Sequence, residues 1–293
     1  MTPAENFSTP LPSDCDGEKL QNYDRIKEAG VFKTLFKINE HSEFGDYPMM
    51  KNDDGHITIL QNLDISNISG VINNIEDSEV SCPDKKTSEL MKEEILSARK
   101  NKDTLGGAIT CMAINFPPAC GSFVHYDRKL DAQLAFSLMS IQSVKAVEIG
   151  NGVLASEQRG TEVQDQIILK NKQIGRLTNN LGGIEGGMST GEPIVVTSYL
   201  KPISTTLTPI RSVDLANKAE TETVYERSDT CAVPRAVPIF ESVIAVDLLN
   251  ALLEKVGGDS KEEIEPRVIS LREINVDDFY MQNKKWKMQY ESE

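Results

Sequence analysis

The chain has 293 residues, of which 39% are hydrophobic and 26% charged, and a net charge of −14. That length suits one large domain or two small ones with a real core. The acidic balance argues against non-specific nucleic-acid binding, which needs a basic face, but a pocket's local charge can still oppose the global one and take a small anion. Five scattered cysteines (Cys15, Cys82, Cys111, Cys120, Cys231) contain no CxxC pair. They read as reduced cytosolic thiols, with Cys111 and Cys231 as small core residues. No stretch reaches the ~18 apolar residues of a membrane span. The polar, acid-bearing start to Asp16 is neither a secretory signal nor a basic transit peptide.

In chain order, residues 1–24 are rich in Pro, Ser, Asp and Asn, without periodicity, and read as a disordered arm. Ile26, Ala29, Val31, Phe32, Leu35 and Phe36 give a loosely helical face, predicting a short helix over 23–37. His56–Leu60 is a short strand candidate between loop-like segments. Leu90, Met91, Ile95 and Ala98 predict a helix over 86–100, and the apolar, partly β-branched run Ala108–Ile114 predicts a buried strand closed by Phe116-Pro117-Pro118.

Asp127 is placed to cap the next helix, whose Leu130, Leu134 and Leu138 recur every four residues. Val144–Gly150 predicts a strand, and residues 151–178 read as polar and irregular. Strand 193–200 precedes Lys201-Pro202. A long apolar helix is expected to start near Pro238, to stop at Gly257-Gly258 and to be buried around most of its circumference. Beyond Asp259 the chain is charged, ending in a solvated tail around Lys284–Lys287. There is no internal repeat, and short strands alternate with helices without regular βαβ spacing, so the class is α+β.

The chain's scarce histidines, His41, His56 and His125, sit in no nucleophile-elbow context, and no His/Cys/Asp cluster has metal-ligand spacing. The chemistry gathers elsewhere. Asn179–Gly191 holds five of the chain's 19 glycines. It is either a pair of tight turns or a loop whose backbone N–H groups line a pocket. Lys201-Pro202-Ile203-Ser204-Thr205 places an ammonium and hydroxyls at a strand end, which suits a phosphate. Arg227-Ser228-Asp229 places a guanidinium, a hydroxyl and a carboxylate before the apolar helix. For Arg227 and Asp229 a structural salt bridge is the alternative reading.

At these residues the sequence resembles the chorismate synthase family. The matching stretches are Met139–Lys145 with Val147–Gly150, Asn179–Ile184 with Gly186–Gly191, Lys201–Thr205, Arg211–Asp214 and Arg227–Ala236. The resemblance runs from Asp103 through Ser260, in the family's order and spacing, with weaker similarity reaching back through Cys82-Pro83-Asp84. It implies a β-α-β sandwich of antiparallel sheets and helices assembling as a homotetramer. It divides the chain into a divergent segment 1–75, an FMN-binding core 76–258 and a charged tail 259–293. It also implies a cytoplasmic enzyme that needs reduced FMN to convert 5-enolpyruvylshikimate 3-phosphate to chorismate and phosphate by 1,4-elimination, with neither nucleic acid nor membrane as partner.

By motif match, FMN contacts fall on Gln142, Ser143, Gly186, Lys201, Pro202, Ile203, Ser204, Thr205 and Arg227. Asp229 is the catalytic position, set against the flavin, and Arg227 also faces the anionic substrate. Ile203 stands where the family usually has threonine. The family's Gly-Glu-Ser-His-Gly, Arg-Pro-Gly-His and Gly-Gly-Gly-Arg-Ser motifs do not occur in this chain. A catalytically inactive FMN-binding or interaction subunit is therefore the alternative expectation.

Overall fold

The structure, a computed structural model, describes residues 31–37, 68–170 and 172–280. Its centre is a four-stranded sheet in the order β1 (Val31–Lys37), β2 (Gly107–Ile114), β8 (Ile194–Leu200), β3 (Val144–Ile149). β2 (Gly107–Ile114) runs through the interior, and Cys111 is buried in it as expected. β8 (Ile194–Leu200) pairs antiparallel with β2 on one side and with β3 (Val144–Ile149) on the other. The three strands fall where their β-branched runs place them. Residues on alternate positions face one way: Ile109, Cys111 and Ala113 join Ile194, Val196 and Leu200 in the main core cluster. On the other face, Thr110 and Thr197 share a buried hydroxyl–hydroxyl hydrogen bond of 2.9 Å.

β1 (Val31–Lys37) pairs parallel with β2, from Val31 opposite Ala108 to Lys37 opposite Ile114. This corrects the helix expected over 23–37. Val31, Phe32, Thr34 and Phe36 favour extended backbone, and an open sheet edge decides between that propensity and a loose helical period. The rest of that expected helix, the 1–24 arm, the 56–60 strand and the tail around Trp286 lie outside the described residues.

Helices cover the core face. α1 (Ile68–Glu76) and α2 (Lys85–Lys100) come first, and Asp84 caps α2 by accepting from Thr87 N at 2.8 Å. α3 (Leu130–Met139) buries Leu130, Leu134 and Leu138, the expected stripe. Asp127, however, sits in a 3-10 turn (Tyr126–Arg128) and does not cap it; Lys129 holds the N-cap position without a side-chain bond. Segment 151–178 is more ordered than its polar composition suggested. It forms the one-turn helices α4 (Gly152–Ala155) and α5 (Gly160–Val163) and a hairpin of β4 (Ile167–Lys170) with β5 (Gln173–Arg176). A further exposed hairpin joins β9 (Arg211–Asp214) to β10 (Ala219–Glu222).

α6 (Val233–Val256) is 24 residues long and starts five residues earlier than expected. Pro234 occupies its first turn, while Pro238 lies inside it, where its missing N–H would have paired with the carbonyl of Pro234. Gly257, at φ +63°, ends it. By length and composition alone α6 could cross a membrane, contrary to the reading that no stretch could. Its burial shows instead a core helix on a sheet, with Val237, Phe240, Ile244, Leu248 and Ala251 facing inward. The outward side, including Ile239, Val246 and Leu249, is exposed, so the helix is buried on one face and not around its circumference. The charged stretch after Gly258 opens with α7 (Lys261–Arg272), capped by Ser260.

The glycine stretch is a hairpin, β6 (Ile184–Glu185) and β7 (Met188–Ser189), turning at Gly186-Gly187 with φ +61° and +88°. Arg176 clamps it with a bidentate pair to Glu185, at 2.8 and 3.0 Å. Asp165 holds the approach by accepting from Thr178 Oγ1 (2.6 Å), Asn180 N (2.7 Å) and Leu181 N (2.9 Å). Most of the glycines serve packing. A Cβ on Gly182 would stand 2.4 Å from the Gly150 nitrogen, whereas one on Gly186 would meet nothing within 4 Å.

Two outcomes follow. Gly182→Ala should cost about 2–4 kcal/mol in denaturant unfolding, and Gly186→Ala only about 1. Asp247 on α6 has its pKa raised above 3.8 by burial, partly offset by the Ser137 hydroxyl. A raised folded pKa means stability present below about pH 4 and lost as the carboxyl ionises above it. Asp247→Asn should therefore raise the melting temperature at pH 7, with the gain vanishing near pH 4.

Candidate functional site

Three separated pieces of sequence meet at the end of β8, and backbone contacts explain why. Lys201 N donates to the Ser143 carbonyl at 2.9 Å, which puts the Gln142-Ser143 turn beside the strand end. Ser143 itself adopts φ +72°, so the turn is held in a conformation L side chains rarely take. Thr104 Oγ1 donates to the Ile203 carbonyl at 2.6 Å. Leu105 N donates to the Thr230 carbonyl at 2.8 Å, and Ser228 Oγ to the Thr205 carbonyl at 3.0 Å. Gly106 permits the approach, since a Cβ there would fall 2.2 Å from the Leu200 carbonyl.

The resulting shelf carries polar groups facing solvent. Lys201 Nζ donates to Ser204 Oγ at 2.8 Å and to the Pro202 carbonyl at 3.2 Å. An ammonium has three N–H donors, so one remains for an anion. Gln142, Lys201, Pro202, Ser204 and Arg227 are exposed, and Ser143, Ile203, Thr205 and Asp229 are half-buried. Asp229 does not pair with Arg227. Its partner is Arg235 on the first turn of α6, at 3.0 Å, so the alternative reading of an Arg227–Asp229 salt bridge does not hold.

Gly186 is not part of this shelf. The glycine hairpin meets the other end of β8: Val195 N donates to the Gly182 carbonyl at 3.1 Å. The seven residues of β8 separate the two ends by about 20 Å. A surface cavity of about 230 Å³ opens at the hairpin end, between Met188, Phe123 and Ala251. Its walls hold Arg128 and Glu254, paired with each other, and Lys255. One chain thus brings Gln142, Ser143, Lys201–Thr205 and the 227–229 segment together and sets Gly186 apart.

Thr104, Gly106, Arg235 and Asp165 were not singled out from sequence. Nothing local in the sequence said that the Thr104 hydroxyl would reach a carbonyl 99 positions away. For Arg235, its six-residue separation from Asp229 across a helix start carried no periodic signal.

The family model for chorismate synthase matches residues 50–253, more than half of the chain. The chorismate synthase of Rubrobacter xylanophilus is 47% identical over 187 residues, covering 64% of this chain and 48% of that protein. The corresponding protein of Desulforudis audaxviator is 50% identical over 191 residues, covering 65% and 49%. A crystal structure of chorismate synthase superposes with a TM-score of 0.60 at 34% identity, over 72% of this chain and 57% of that one. The chain spans about half the length of the curated relatives it matches. With its α+β fold and its ordered set of motifs, the chain belongs to the chorismate synthase family.

Proposed function

We propose that this chain holds the phosphate-bearing side of a chorismate synthase site, a carbon–oxygen lyase of aromatic amino-acid biosynthesis that binds reduced FMN and 5-enolpyruvylshikimate 3-phosphate. The observation that carries the reading is the convergence of Ser143, Lys201–Thr205 and Ser228 through hydrogen bonds of 2.9 and 3.0 Å. The donor set fits a phosphate monoester: a cation with a spare N–H and the Ser204 and Thr205 hydroxyls, with Arg227 next to the Ser228 that bonds to Thr205. Lys201, Ser204 and Thr205 would hold the flavin phosphate, with the Gln142-Ser143 turn beside them. Reduced FMN, when bound, supplies electron density transiently while phosphate leaves the substrate.

The chain's own residues then bind and orient. Arg227, exposed beside Ser228, would neutralise the anionic substrate. Arg235 fixes the direction of the Asp229 carboxylate, which stands at the same segment and faces the flavin in this reading. Thr104 holds the Ile203 carbonyl, so the backbone at that position is set by hydroxyl donation from below, although Ile203 itself brings no hydroxyl. A cytoplasmic homotetramer is the assembly proposed with this function.

Fluorescence titration under anaerobic conditions, with reduced FMN, should show saturable binding. Lys201→Ala should weaken it about ten- to hundredfold, the range of one charge-assisted phosphate contact. Thr104→Val should weaken it by several-fold at most, since only the positioning of Ile203 changes. Loss of general acid–base groups costs about 10²–10⁴ each, so the isolated chain should bind flavin yet release little chorismate or phosphate. Full turnover by the isolated chain would show that the missing motifs are dispensable. Absence of flavin binding would overturn the proposal.

A further inference from the structure

The cavity at the hairpin end of β8 takes no part in the phosphate shelf, and its walls are fixed by backbone. Ala119 N donates to the Ser189 carbonyl at 2.8 Å, Ser189 N to the Cys120 carbonyl at 2.9 Å and Leu130 N to the Gly187 carbonyl at 2.9 Å. The Ser189 hydroxyl accepts from Cys120 N at 2.9 Å and donates to the Pro117 carbonyl at 2.7 Å. Gly121, at φ +101°, lets the loop before α3 cross the hairpin, since a Cβ there would fall 2.4 Å from the Gly187 carbonyl. A ligand entering the cavity would not have to order this backbone, which lowers the cost of binding.

The lining joins apolar surface to one uncommitted cation. Phe123, Met188 and Ala251 supply the apolar part, and Phe123 is 75% exposed. Glu254 is committed to Arg128. The Lys255 ammonium has neither a hydrogen bond nor an ion pair among the described residues. The Ser122 hydroxyl accepts from Val124 N at 3.2 Å, and its own O–H remains to donate. Once Arg128 and Glu254 cancel, the cavity is left positive on a chain of net charge −14, which favours an anion against the global field. The negative end of α6 would oppose an anion there, but Arg267 donates to the Val256 carbonyl at 2.8 Å and offsets it.

Volume sets the size of the occupant. At about 30 Å³ per water, the cavity of about 230 Å³ holds roughly eight waters. That is below the ~300–1,000 Å³ of sites for drug-sized ligands, so a nucleotide could not be enclosed, whereas a ligand of roughly eight to twelve non-hydrogen atoms could.

We propose that this cavity binds a small monocarboxylate with an aromatic body, its carboxylate on Lys255 and Ser122 and its ring against Phe123 and Met188. The site is separate from the flavin shelf and does not depend on it.

The test titrates the full chain, labelled with ¹³C at the methionine methyl groups, with phenylacetate. It follows the Met188 methyl resonance, assigned through Met188→Leu. A saturable shift with a Kd of about 0.1–1 mM is expected, the range for about ten atoms in an open cavity. Phenylacetamide keeps the shape without the charge, and inorganic phosphate the charge without the ring; each should bind at least about tenfold more weakly. Lys255→Gln should weaken phenylacetate roughly tenfold and leave phenylacetamide unchanged, while Phe123→Ala should weaken both. Both side chains are exposed, so neither change should lower the melting temperature. Lys201→Ala should leave the Met188 shift in place.

No shift at Met188, equal binding of acid and amide, or an equal effect of Lys255→Gln on the two would each overturn the proposal. Loss of the shift in Lys201→Ala would also overturn it, by moving the anion to the shelf. None of these outcomes alters the flavin titration, which tests the proposed function by itself.

Discussion

β8 is held on both edges, by β2 and by β3, and buried over all but one of its residues. A strand so fixed leaves no freedom in where its ends emerge. At one end the backbone of Gly182 must touch that of Gly150 and Val195, and only glycine allows it. At the other, Leu200 and Lys201 are pressed against Gly106, and Lys201 N is committed to Ser143. The candidate phosphate shelf is therefore a consequence of the sheet. Its geometry is set by backbone hydrogen bonds to a rigid strand and not by the side chains that would touch a ligand. That arrangement suits a site whose cation and hydroxyls stay exposed, since their directions are decided below them.

The same sheet orders the helix layer. α6 is long because it crosses β2 and β1 with one face and packs on α3 with its flank, and its inward residues are among the most enclosed in the molecule. The opposite side carries the exposed apolar residues Ile239, Val246 and Leu249. Asp247 lies on the flank that meets α3, where Ser137 donates to it.

Elements that bury both faces were legible in the sequence. Ala108–Ile114 and Ile194–Leu200 are mostly apolar, β-branched runs too short for helices, and Leu130, Leu134 and Leu138 carry an unambiguous period. The failures have distinct physical causes. Val31–Lys37 has a mixed period, and its partner strand, 77 positions away at Ala108, decides the outcome. The α6 start was set too late because Pro238 was read as a first-turn proline, when Pro234 fills that role and the helix absorbs the second. The order of 151–178 comes from carboxylates accepting from backbone, Asp165 from Asn180 N and Leu181 N and Glu192 from Arg176 N, which composition does not register.

For the site, residue types and order marked Lys201–Thr205 as suited to a phosphate, but said nothing of its neighbours in space. Motif order placed Gly186 with Lys201, and the length of β8 places them apart. Asp229 looked like a partner for the adjacent Arg227, and the start of α6 supplies Arg235 in its place. The central claim is that the phosphate of FMN lies on the shelf at the Lys201 end of β8. A crystal structure of this chain with reduced FMN tests it most directly. The account predicts flavin phosphate oxygens within hydrogen-bond distance of Lys201 Nζ and the Ser204 hydroxyl. A phosphate seated at the glycine hairpin, with the Lys201 shelf empty, would contradict it.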